Sequence, residues 1–408
     1  RIYKGVAKYT SNFVVASTSP DILPDTPSGV SGSSKLAKVI DGAVSFDGSG
    51  DYLSLANSTD FALGAPSNND NDFTVECFFL SPDTQESTND CLFDARTSNS
   101  TIPWMMGRGA RARLRVYDGS NEYYSDGGTY SSGSGSLTNG WNHVAWVRNG
   151  TTNYLFENGR LGYSFTSSTD LGTSATPLRV GVLADNSSEP FNGFISNARI
   201  IKGTALYTSN FTPPTRELTN VTNTKLLCCQ SNSSAGAAAV SPNITGSINT
   251  GTVWSDLVIG TLDTQYGNVN RAWPFDGSTG SDYTDGIRPD SGNYLTMDFG
   301  SQFSSATSVK IYGHASLDGV TYNGANENLK INGTAIAAGA WAANGGGAGQ
   351  SSATFTISGL TSLAWGYSSG TQATGYLYLQ GIEVDGTLLV NPVTPIGDAA
   401  ATNFNPFN

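Results

Sequence analysis

The chain has 408 residues with 48 glycines and only 13% charged residues, a composition that excludes helix bundles and coiled coils because these need Ala, Leu, Glu, Lys and Arg. Its 38% hydrophobic residues are enough to build cores, so we expect an all-β fold in more than one domain. The net charge of −12 gives no basic surface for phosphates, and no apolar run reaches the ~20 residues of a membrane helix, so we expect neither a nucleic-acid partner nor membrane insertion.

An internal repeat begins the chain. Residues 1–13, RIYKGVAKYTSNF, match residues 199–211, RIIKGTALYTSNF, at ten of thirteen positions. The second copy closes a domain, so we expect residues 1–16 to be the tail of a preceding domain of the same type, followed by a linker over 17–39. The sequence therefore predicts a fragment of a longer tandem-repeat protein.

Residues 40–229 have the periodicity of strands. In the stretch 72–80, apolar side chains alternate with polar ones and fall on one face of a half-buried strand. No amphipathic pattern of 10–15 residues interrupts the region. These features favour an antiparallel two-sheet sandwich and exclude a parallel sheet with crossover helices.

Two Asn-Gly pairs predict hairpin turns, because both central positions of a type I′ turn require positive φ. Asn149-Gly150 joins the run that starts at Trp141 to the next run, and Asn158-Gly159 joins that run to Arg160–Phe165. Together the two turns predict a three-stranded antiparallel meander.

Five stretches in this region resemble, in order, the signatures of laminin-G-like (concanavalin A-like) jelly-roll domains. They are VSFDGSGDYL at 44–53, DFTVE at 72–76, WNHVA at 141–145, NG at 158–159 and FNGFISNARI at 191–200. The closing RIIKGTALYTSNFTPPT, with TKLLCCQSNSS, resembles the laminin-G repeats of large structural proteins of marine bacteriophages, cyanophages especially. The resemblance implies a jelly-roll sandwich from a virion protein.

A second β-domain is predicted over 251–392, after a small, polar linker at 230–250. WPFDG at 273–277, MDFG at 297–300 and GIEVDG at 381–386 resemble discoidin or galactose-binding-like jelly rolls. Residues 393–408 read as an exit segment. The predicted fold class is thus all-β, with tandem sandwiches.

Catalytic signals are weak. His143 and His314 are the two histidines, and the patterns HExxH, GxxxxGK[ST] and CxxC are absent from the sequence. Glycosidases with concanavalin A-like folds use paired carboxylates on one strand, whereas Glu76 and Glu157 are isolated. We therefore expect a protein that is not an enzyme and has no cofactor other than calcium.

Calcium is suggested by clusters of hard oxygen ligands. The candidate ligands are Asp47, Asp51, Asp70 and Asp72 in the first domain and Asp276, with Asp282 and Asp285 nearby, in the second. Many laminin-G-like domains bind Ca²⁺ at a rim, which the resemblance extends to this chain. The alternative is that these residues form Asx turns, in which the side chain caps its own backbone.

Saccharide binding uses aromatic faces beside a few polar groups. The candidates for contact with glycan or a partner are Trp104, Tyr117, Tyr123, Tyr124, Trp146, Arg111 and Arg113 in the first domain, with Trp341, Trp365 and Tyr367 in the second. We expect the Gly/Ser/Tyr-rich stretch 104–130 to face solvent with Tyr123 and Tyr124 at its tip. The alternatives are that the aromatics pack in the core or its rim and that the arginines pair with acids.

The leading hypothesis is a virion structural protein on an appendage or capsid surface, in assembly and in adhesion to host polysaccharide. Its partners would be other virion subunits, with a homo-oligomer expected. A bacterial extracellular adhesin or surface-filament subunit is the alternative, and a glycan-degrading hydrolase is a third possibility. The hydrolase would require a carboxylate pair in a cleft.

Overall fold

The structure of the chain is a computed structural model. It describes residues 42–66, 71–82, 88–98, 100–129, 133–183, 188–244, 246–248, 251–263, 270–280, 282–290, 292–315, 321–322, 326–327, 329–337, 339–366 and 377–407. The predicted tail at 1–16 and linker at 17–39 lie outside these residues. All described residues belong to one compact unit, Asp41–Asn408.

Strands account for nearly all regular structure. In the first half they are β1 Ala43–Asp47, β2 Tyr52–Ser58, β3 Phe73–Leu80, β4 Asp90–Asp94, β5 Met105–Gly109, β6 Arg113–Tyr117, β7 Glu122–Tyr124, β8 Asn142–Asn149, β9 Thr152–Glu157, β10 Arg160–Thr166, β11 Thr176–Val180, β12 Asn192–Lys202, β13 Thr224–Cys228 and β14 Ala238–Val240. In the second half they are β15 Ser247–Ile248, β16 Tyr294–Phe303, β17 Ser308–Ala315, β18 Thr321–Tyr322, β19 Asn326–Glu327, β20 Leu329–Ile331, β21 Thr334–Ala335, β22 Gly349–Thr356, β23 Leu360–Gly366, β24 Leu377–Val384, β25 Thr387–Leu389, β26 Thr394–Ile396 and β27 Ala400–Thr402.

Helical structure is limited to single turns. The α-helix α1 spans Ala340–Ala343, and 3-10 turns span Thr59–Phe61, Trp254–Leu257, Trp273–Phe275 and Tyr283–Asp285. Within the described ranges, no helix has the length and apolar character needed to cross a bilayer. The all-β fold class predicted from composition is confirmed.

The first sandwich encloses one core between two sheets. One sheet has nine strands, with β10-β9-β8-β3-β12-β1-β27 as neighbours and β13 and β14 continuing from β12. The other has seven strands in the order β26-β2-β11-β4-β5-β6-β7. Trp104 and Trp146 are both fully buried between the sheets, with ring centroids 6.4 Å apart.

The predicted meander is confirmed by the pairing of β8 with β9 and of β9 with β10, although its two turns differ in type. Asn158 and Gly159 both have positive φ, as a type I′ turn requires. In the first turn Asn149 pairs with Thr152, so Gly150 and Thr151 are the central residues. Only Gly150 has positive φ there, which is the pattern of a type II′ turn.

The C-terminal segment returns to the first sandwich. Strand β26 pairs with β2 at the edge of the seven-stranded sheet, and β27 pairs with β1 at the edge of the nine-stranded sheet. Beyond them Phe404 and Phe407 pack on the outer face of the larger sheet. Residues 393–408, read from the sequence as an exit segment, thus supply strands to both sheets. The predicted linker at 230–250 contains β14 and β15.

The second sandwich consists of a five-stranded sheet, β15-β25-β24-β17-β22, and a four-stranded sheet, β16-β23-β20-β21. Trp254, Trp341 and Trp365 are at most 1% exposed and form its core. Trp341 and Trp365 were candidates for ligand contact, and their burial corresponds to the alternative of core packing. Tyr367 lies outside the described residues.

Candidate functional site

The carboxylates Asp47 and Asp51, predicted to bind calcium, act as acceptors for backbone N–H groups. Asp51 is only 3% exposed, and its two side-chain oxygens accept from the N–H of Asp47 (3.0 Å) and of Asp398 (2.6 Å). Asp47 Oδ1 accepts from the N–H of Ser49 (2.6 Å) and closes an Asx turn. Both oxygens of Asp51 thus accept backbone hydrogen bonds, which corresponds to the alternative of backbone capping.

Asp72 is another predicted calcium ligand of this domain. Asp72 Oδ1 accepts from the N–H of Gly150 at the turn between β8 and β9 (2.7 Å), and Asp70 lies outside the described residues. Across the part of the chain that the structure describes, no group of three or more His, Cys, Asp and Glu side chains is placed to hold a metal ion. Calcium binding stays a prediction.

Trp104 and Tyr124 lie in the interior, which corrects the expectation that the stretch 104–130 faces solvent. The Trp104 side chain is fully buried, and its Nε1 donates to the carbonyl of Phe61 (2.7 Å). Tyr124 is 2% exposed, and its hydroxyl donates to Glu122 (3.1 Å). The stretch forms strands β5, β6 and β7 of the seven-stranded sheet, so neither ring presents a face to a ligand.

Tyr117 and Tyr123 are half-buried and held by apolar neighbours. Tyr123 stacks on Phe165 with ring centroids 3.6 Å apart. Tyr117 packs against the buried side chains of Met105 and Leu183. Both contacts correspond to the alternative of rim packing, and contact with a ligand stays a prediction for these two rings.

Arg113 is fully buried rather than displayed on the surface. Its Nε donates to the carbonyl of Ala110 and its Nη1 to that of Thr129, both at 2.9 Å, while its guanidinium lies 4.2 Å from the centre of the Tyr124 ring. Arg111 is exposed at the turn between β5 and β6. The two predicted contact arginines therefore lie in different environments and do not form a joint site.

The neighbouring arginines pair with acids. Arg108 donates to Asp90 through Nε (2.8 Å) and Nη2 (2.5 Å), and Arg115 contacts Glu122 and Glu189, both at 2.6 Å. Arg108 is 1% exposed, so its pair with Asp90 is a buried one. Acid pairing was the alternative for the predicted contact arginines; in this stretch it is buried at Arg108, whereas Arg115 pairs with Glu122, whose side chain is 37% exposed.

A different place in the molecule gathers an aromatic ring and carboxylates. A cavity of about 170 Å³ in the second sandwich is lined by Trp273, Asp276, Ser278, Gly280 and Asp285. Trp273 and Asp276 come from the 3-10 turn at Trp273–Phe275 and the residue after it. Asp285 ends the 3-10 turn at Tyr283–Asp285, so two short turns form the walls.

The electrostatics of this cavity disfavour two full negative charges. Burial raises the pKa of Asp276; a hydrogen bond from Ser278 N–H (2.7 Å) opposes the rise, and the negative charge of Asp285 adds to it. The guanidinium of Arg179, from β11 of the first sandwich, lowers that pKa. Arg179 also lies 5.6 Å from the ring of Tyr52. The cavity therefore combines an aromatic ring, a carboxyl group that gains a proton easily and a nearby cation.

Because Gly277 has no side chain, the turn that carries Trp273 can pack closely against the first sandwich. Its φ is +91°, and a Cβ at this position would lie 2.8 Å from the Cβ of Ala56 on β2. A side chain would therefore strain the backbone and push the turn away from the strand. On the opposite wall, Asp282 Oδ1 accepts from the N–H of Tyr283 (2.5 Å) and caps the second turn.

A larger cavity, of about 350 Å³, lies against the first sandwich. It is lined by Asp60, Thr224, Lys225, Ser241, Pro242, Asn243, Ile244 and Ser247. Its lining contains no aromatic ring, and Lys225 Nζ lies 3.5 Å from Asp60 Oδ1. Since a stacking surface is missing, the smaller cavity is the better candidate for a saccharide.

Sequence reasoning named Asp276 and mentioned Asp285, but as metal ligands, and it did not single out Trp273 as a contact residue. The available signal was WPFDG at 273–277, where an aromatic ring and a carboxylate lie three residues apart. The contribution of Arg179 and Tyr52 could not be found this way, because they lie about a hundred or more residues from Asp276 along the chain and meet it only through the packing of the two sandwiches.

We expect Asp276→Asn to raise the stability of the protein at neutral pH. The folded chain holds a proton on this group more tightly than the unfolded chain, so stability falls as the pH rises from the ordinary value of 3.8 through the raised one. Asparagine keeps the acceptor for Ser278 N–H and removes the charge, so the gain would be about 1 kcal/mol or less, or roughly 2–4 °C in Tm.

Thermal unfolding at pH 7 and near pH 4 would measure this effect. Asp298→Asn is the matched control, because Asp298 is exposed and forms a similar turn with Gly300 N–H (2.8 Å). A lower Tm for Asp276→Asn at pH 7 would show that the ionised carboxylate stabilises the fold.

A search of curated proteins found no match to this sequence. Among solved structures, similar ones include the heptameric SAP-like pentraxin from Limulus polyphemus, with 17% identity over 42% of this chain and 79% of that chain and a TM-score of 0.32. The sialidase module CBM40 from Ruminococcus gnavus has 14% identity over 38% of this chain and 89% of its own, with a TM-score of 0.29. At these TM-scores the similarities add nothing to the fold assignment.

The family comparison covers the first sandwich. Residues 47–206 match the model of the Concanavalin A-like lectin/glucanases superfamily. The matched range runs from β1 to just beyond β12 and therefore includes strands of both sheets around the Trp104 and Trp146 core. Residues 47–206 are thus similar to the domains of concanavalin A-like lectins and glucanases.

Proposed function

We propose that this protein binds saccharide in the cavity at Asp276 and does not hydrolyse it. The observation that carries the proposal is the joint lining by Trp273, Asp276 and Asp285. An aromatic ring stacks on the C–H face of a sugar, while carboxylates accept hydrogen bonds from its hydroxyl groups. At about 170 Å³ the cavity is below the roughly 300–1,000 Å³ of sites for larger ligands, which suits a single sugar ring. The lectin-type fold of the first sandwich supports the same class of ligand.

Glycoside hydrolysis is the second candidate, because two carboxyl groups line one cavity and the pKa of Asp276 is raised, as a general acid requires. Binding without hydrolysis is favoured for two reasons. The N–H of Ser278 stabilises the charged form of Asp276, which opposes the protonated state that a general acid must hold before it reacts. In addition, a hydrolase must hold the sugar on each side of the scissile bond, and the cavity has room for about one ring.

The proposed setting is the surface of a virion, on an appendage or capsid, with host polysaccharide as the ligand. The resemblance of 199–215 to phage laminin-G repeats and the repeated segment 1–13 support it. In such an array many weak sites would act together, so that avidity compensates for low affinity at each site. A bacterial surface adhesin remains the alternative, and imaging of the parent assembly distinguishes the two.

We expect Trp273→Ala to reduce saccharide affinity by about tenfold to a hundredfold, because the stacking surface is lost. A glycan array would identify the bound sugar, and calorimetry on that sugar would give the affinities. Trp141→Ala is the matched control, since Trp141 is also half-buried but packs beside Phe194 and Phe404 on the first sandwich.

The proposal fails if no saccharide on the array is bound, or if the two tryptophan variants lose affinity equally. Release of reducing ends from the bound saccharide, abolished by Asp285→Asn, would establish hydrolysis in place of binding alone.

A further inference from the structure

A group of aromatic rings lies on the outer face of the five-stranded sheet of the second sandwich. Along β17, Val309 and Ile311 point into the core, so Tyr312 and His314 lie on the opposite face. Tyr378 on β24 pairs with His314 across the strands. Tyr283, from the turn that ends at Asp285, is 39% exposed and is one of three large apolar side chains exposed in the described ranges. These four residues are called the outer aromatic face.

The rings of this face are held in place. Tyr283 lies edge-on to His314, with centroids 5.8 Å apart, and 5.9 Å from Tyr378. Tyr378 is 3% exposed and supported by the guanidinium of Arg288 at 4.8 Å. The Tyr312 hydroxyl donates to Glu383 (2.6 Å). A surface whose rings are already ordered loses little conformational entropy when a ligand binds.

The outer aromatic face is joined to the Asp276 cavity. Gln350 Nε2 donates to the carbonyls of Thr279 (3.0 Å) and Gly280 (3.3 Å), and Gly280 lines the cavity. Gln380 Nε2 donates to the carbonyl of Asp282. Gly280 and Asp285 thus line the cavity, and the 3-10 turn that ends at Asp285 also carries Tyr283 onto the sheet. Gln380 is fully buried, and its Oε1 has no hydrogen-bond partner in the described part of the chain.

We propose that the outer aromatic face is a second saccharide subsite, so that the ligand is a chain of several sugar units rather than a terminal sugar. This inference rests on the proposed function of the Asp276 cavity, which would hold one unit of the chain. Tyr283, His314 and Tyr312 would stack on further units, and amide and hydroxyl groups beside them would bind ring hydroxyls.

The charges around the two subsites favour an uncharged polysaccharide over an acidic one. Asp276 and Asp285 line the cavity, and Glu383 lies beside Tyr312. Lys310 Nζ lies 4.6 Å from the ring of Tyr312, and Arg288, under the buried Tyr378 ring, is paired with Asp263. Uronic or sialic acid units would place further negative charge against these carboxylates, which is unfavourable. The ligand class is therefore an uncharged polysaccharide.

Calorimetry with oligosaccharides of one, three and six units tests the inference. The probes are gluco-, galacto- and manno-oligosaccharides, with oligogalacturonates of the same lengths as acidic counterparts. For a neutral series we expect the affinity to rise at least about tenfold from one unit to six. Tyr283→Ser and Tyr312→Ser should remove that rise and leave the affinity for the single unit unchanged, while Tyr154→Ser, on β9 of the first sandwich, should change neither.

The outcomes separate this inference from the proposed function. If the single sugar unit binds through Trp273 but longer oligosaccharides bind no more tightly, the second subsite is overturned and the proposed site in the Asp276 cavity stands. Equal affinity for the acidic series would overturn the selection of a neutral chain. Absence of any binding would overturn both proposals. If the tyrosine variants alter the sedimentation of the protein and not its affinity for sugars, the face is a protein interface.

Discussion

Replacing Glu76 with glutamine is expected to lower the free energy of unfolding by about 3–5 kcal/mol, because it leaves a buried guanidinium without its counter-charge. Glu76 lies on β3 and is fully buried. Its Oε1 accepts from Arg199 through Nε (2.9 Å) and Nη2 (2.5 Å), and its Oε2 lies 3.0 Å from His143 Nε2 and accepts from the Tyr207 hydroxyl (3.1 Å). The amide group of glutamine cannot accept at both ends.

The effect has a defined pH dependence. Burial alone would raise the pKa of Glu76, but the hydrogen bonds and charges of His143 and Arg199 outweigh it and hold that pKa below its ordinary value of 4.5. The folded chain therefore binds this proton less tightly than the unfolded chain. The stabilisation is complete above the ordinary value and is lost as the pH falls through the lowered one.

Chemical unfolding at pH 7 and at several lower pH values measures both effects. The control is Glu122→Gln, which removes a carboxylate that is 37% exposed and whose partner Arg115 keeps Glu189, so the expected cost is below about 1 kcal/mol. An equal cost for the two variants, or a Glu76→Gln cost unchanged between pH 7 and pH 3, would show that the buried cluster does not stabilise the fold as described.

The second copy of the internal repeat supplies residues that contact Glu76. Arg199, Tyr207 and Phe211 lie in the second copy, where Arg199 and Tyr207 bond Glu76 and Phe211 stacks on Tyr207 at 3.7 Å. All three are unchanged in residues 1–13, at Arg1, Tyr9 and Phe13. The match thus preserves residues that contact Glu76 or one another. Strands β13, β14, β26 and β27 of the same sandwich follow this copy, so residues 199–211 do not end the domain. The first copy lies outside the described residues, so its docking stays a prediction.

Local signals predicted the strands and the meander because they depend on neighbouring residues: alternation specifies a strand, and Asn-Gly specifies a turn. The exposure of 104–130 could not be predicted in this way. Its polar and aromatic residues would face water in an isolated sheet, but Trp104 is buried between the sheets and Tyr124 is covered by Arg113. Which face of a strand is covered depends on segments distant in sequence.

The Asp276 cavity was unpredictable for the same reason. The pKa of Asp276 depends on Arg179, and the turn that carries Asp276 is placed by the contact of Gly277 with Ala56. Both partners belong to the first sandwich, whereas the cavity lies in the second. Composition and motifs predicted two β-sandwiches, but they contained no information on how the second packs against β2 and β11.

The C-terminal segment gives the second large effect that we expect. Truncation after Asn391 would remove β26 and β27, exposing β2 and β1 as sheet edges with unpaired backbone groups. It would also remove Val393, which is fully buried in the core of the first sandwich. Deletion of a buried aliphatic side chain alone costs about 2–5 kcal/mol.

The truncated chain should therefore lose several kcal/mol, a large share of the roughly 5–15 kcal/mol that stabilises a domain, and should aggregate through its open edges. Truncation after Thr402 is the control: it keeps both strands and removes only Phe404, which is 46% exposed, and Phe407 with their neighbours. Thermal unfolding and light scattering distinguish the two. If the chain ending at Asn391 remained monodisperse and melted within about 2 °C of the full chain, the strands β26 and β27 would be accessory, and the first sandwich would be complete without them.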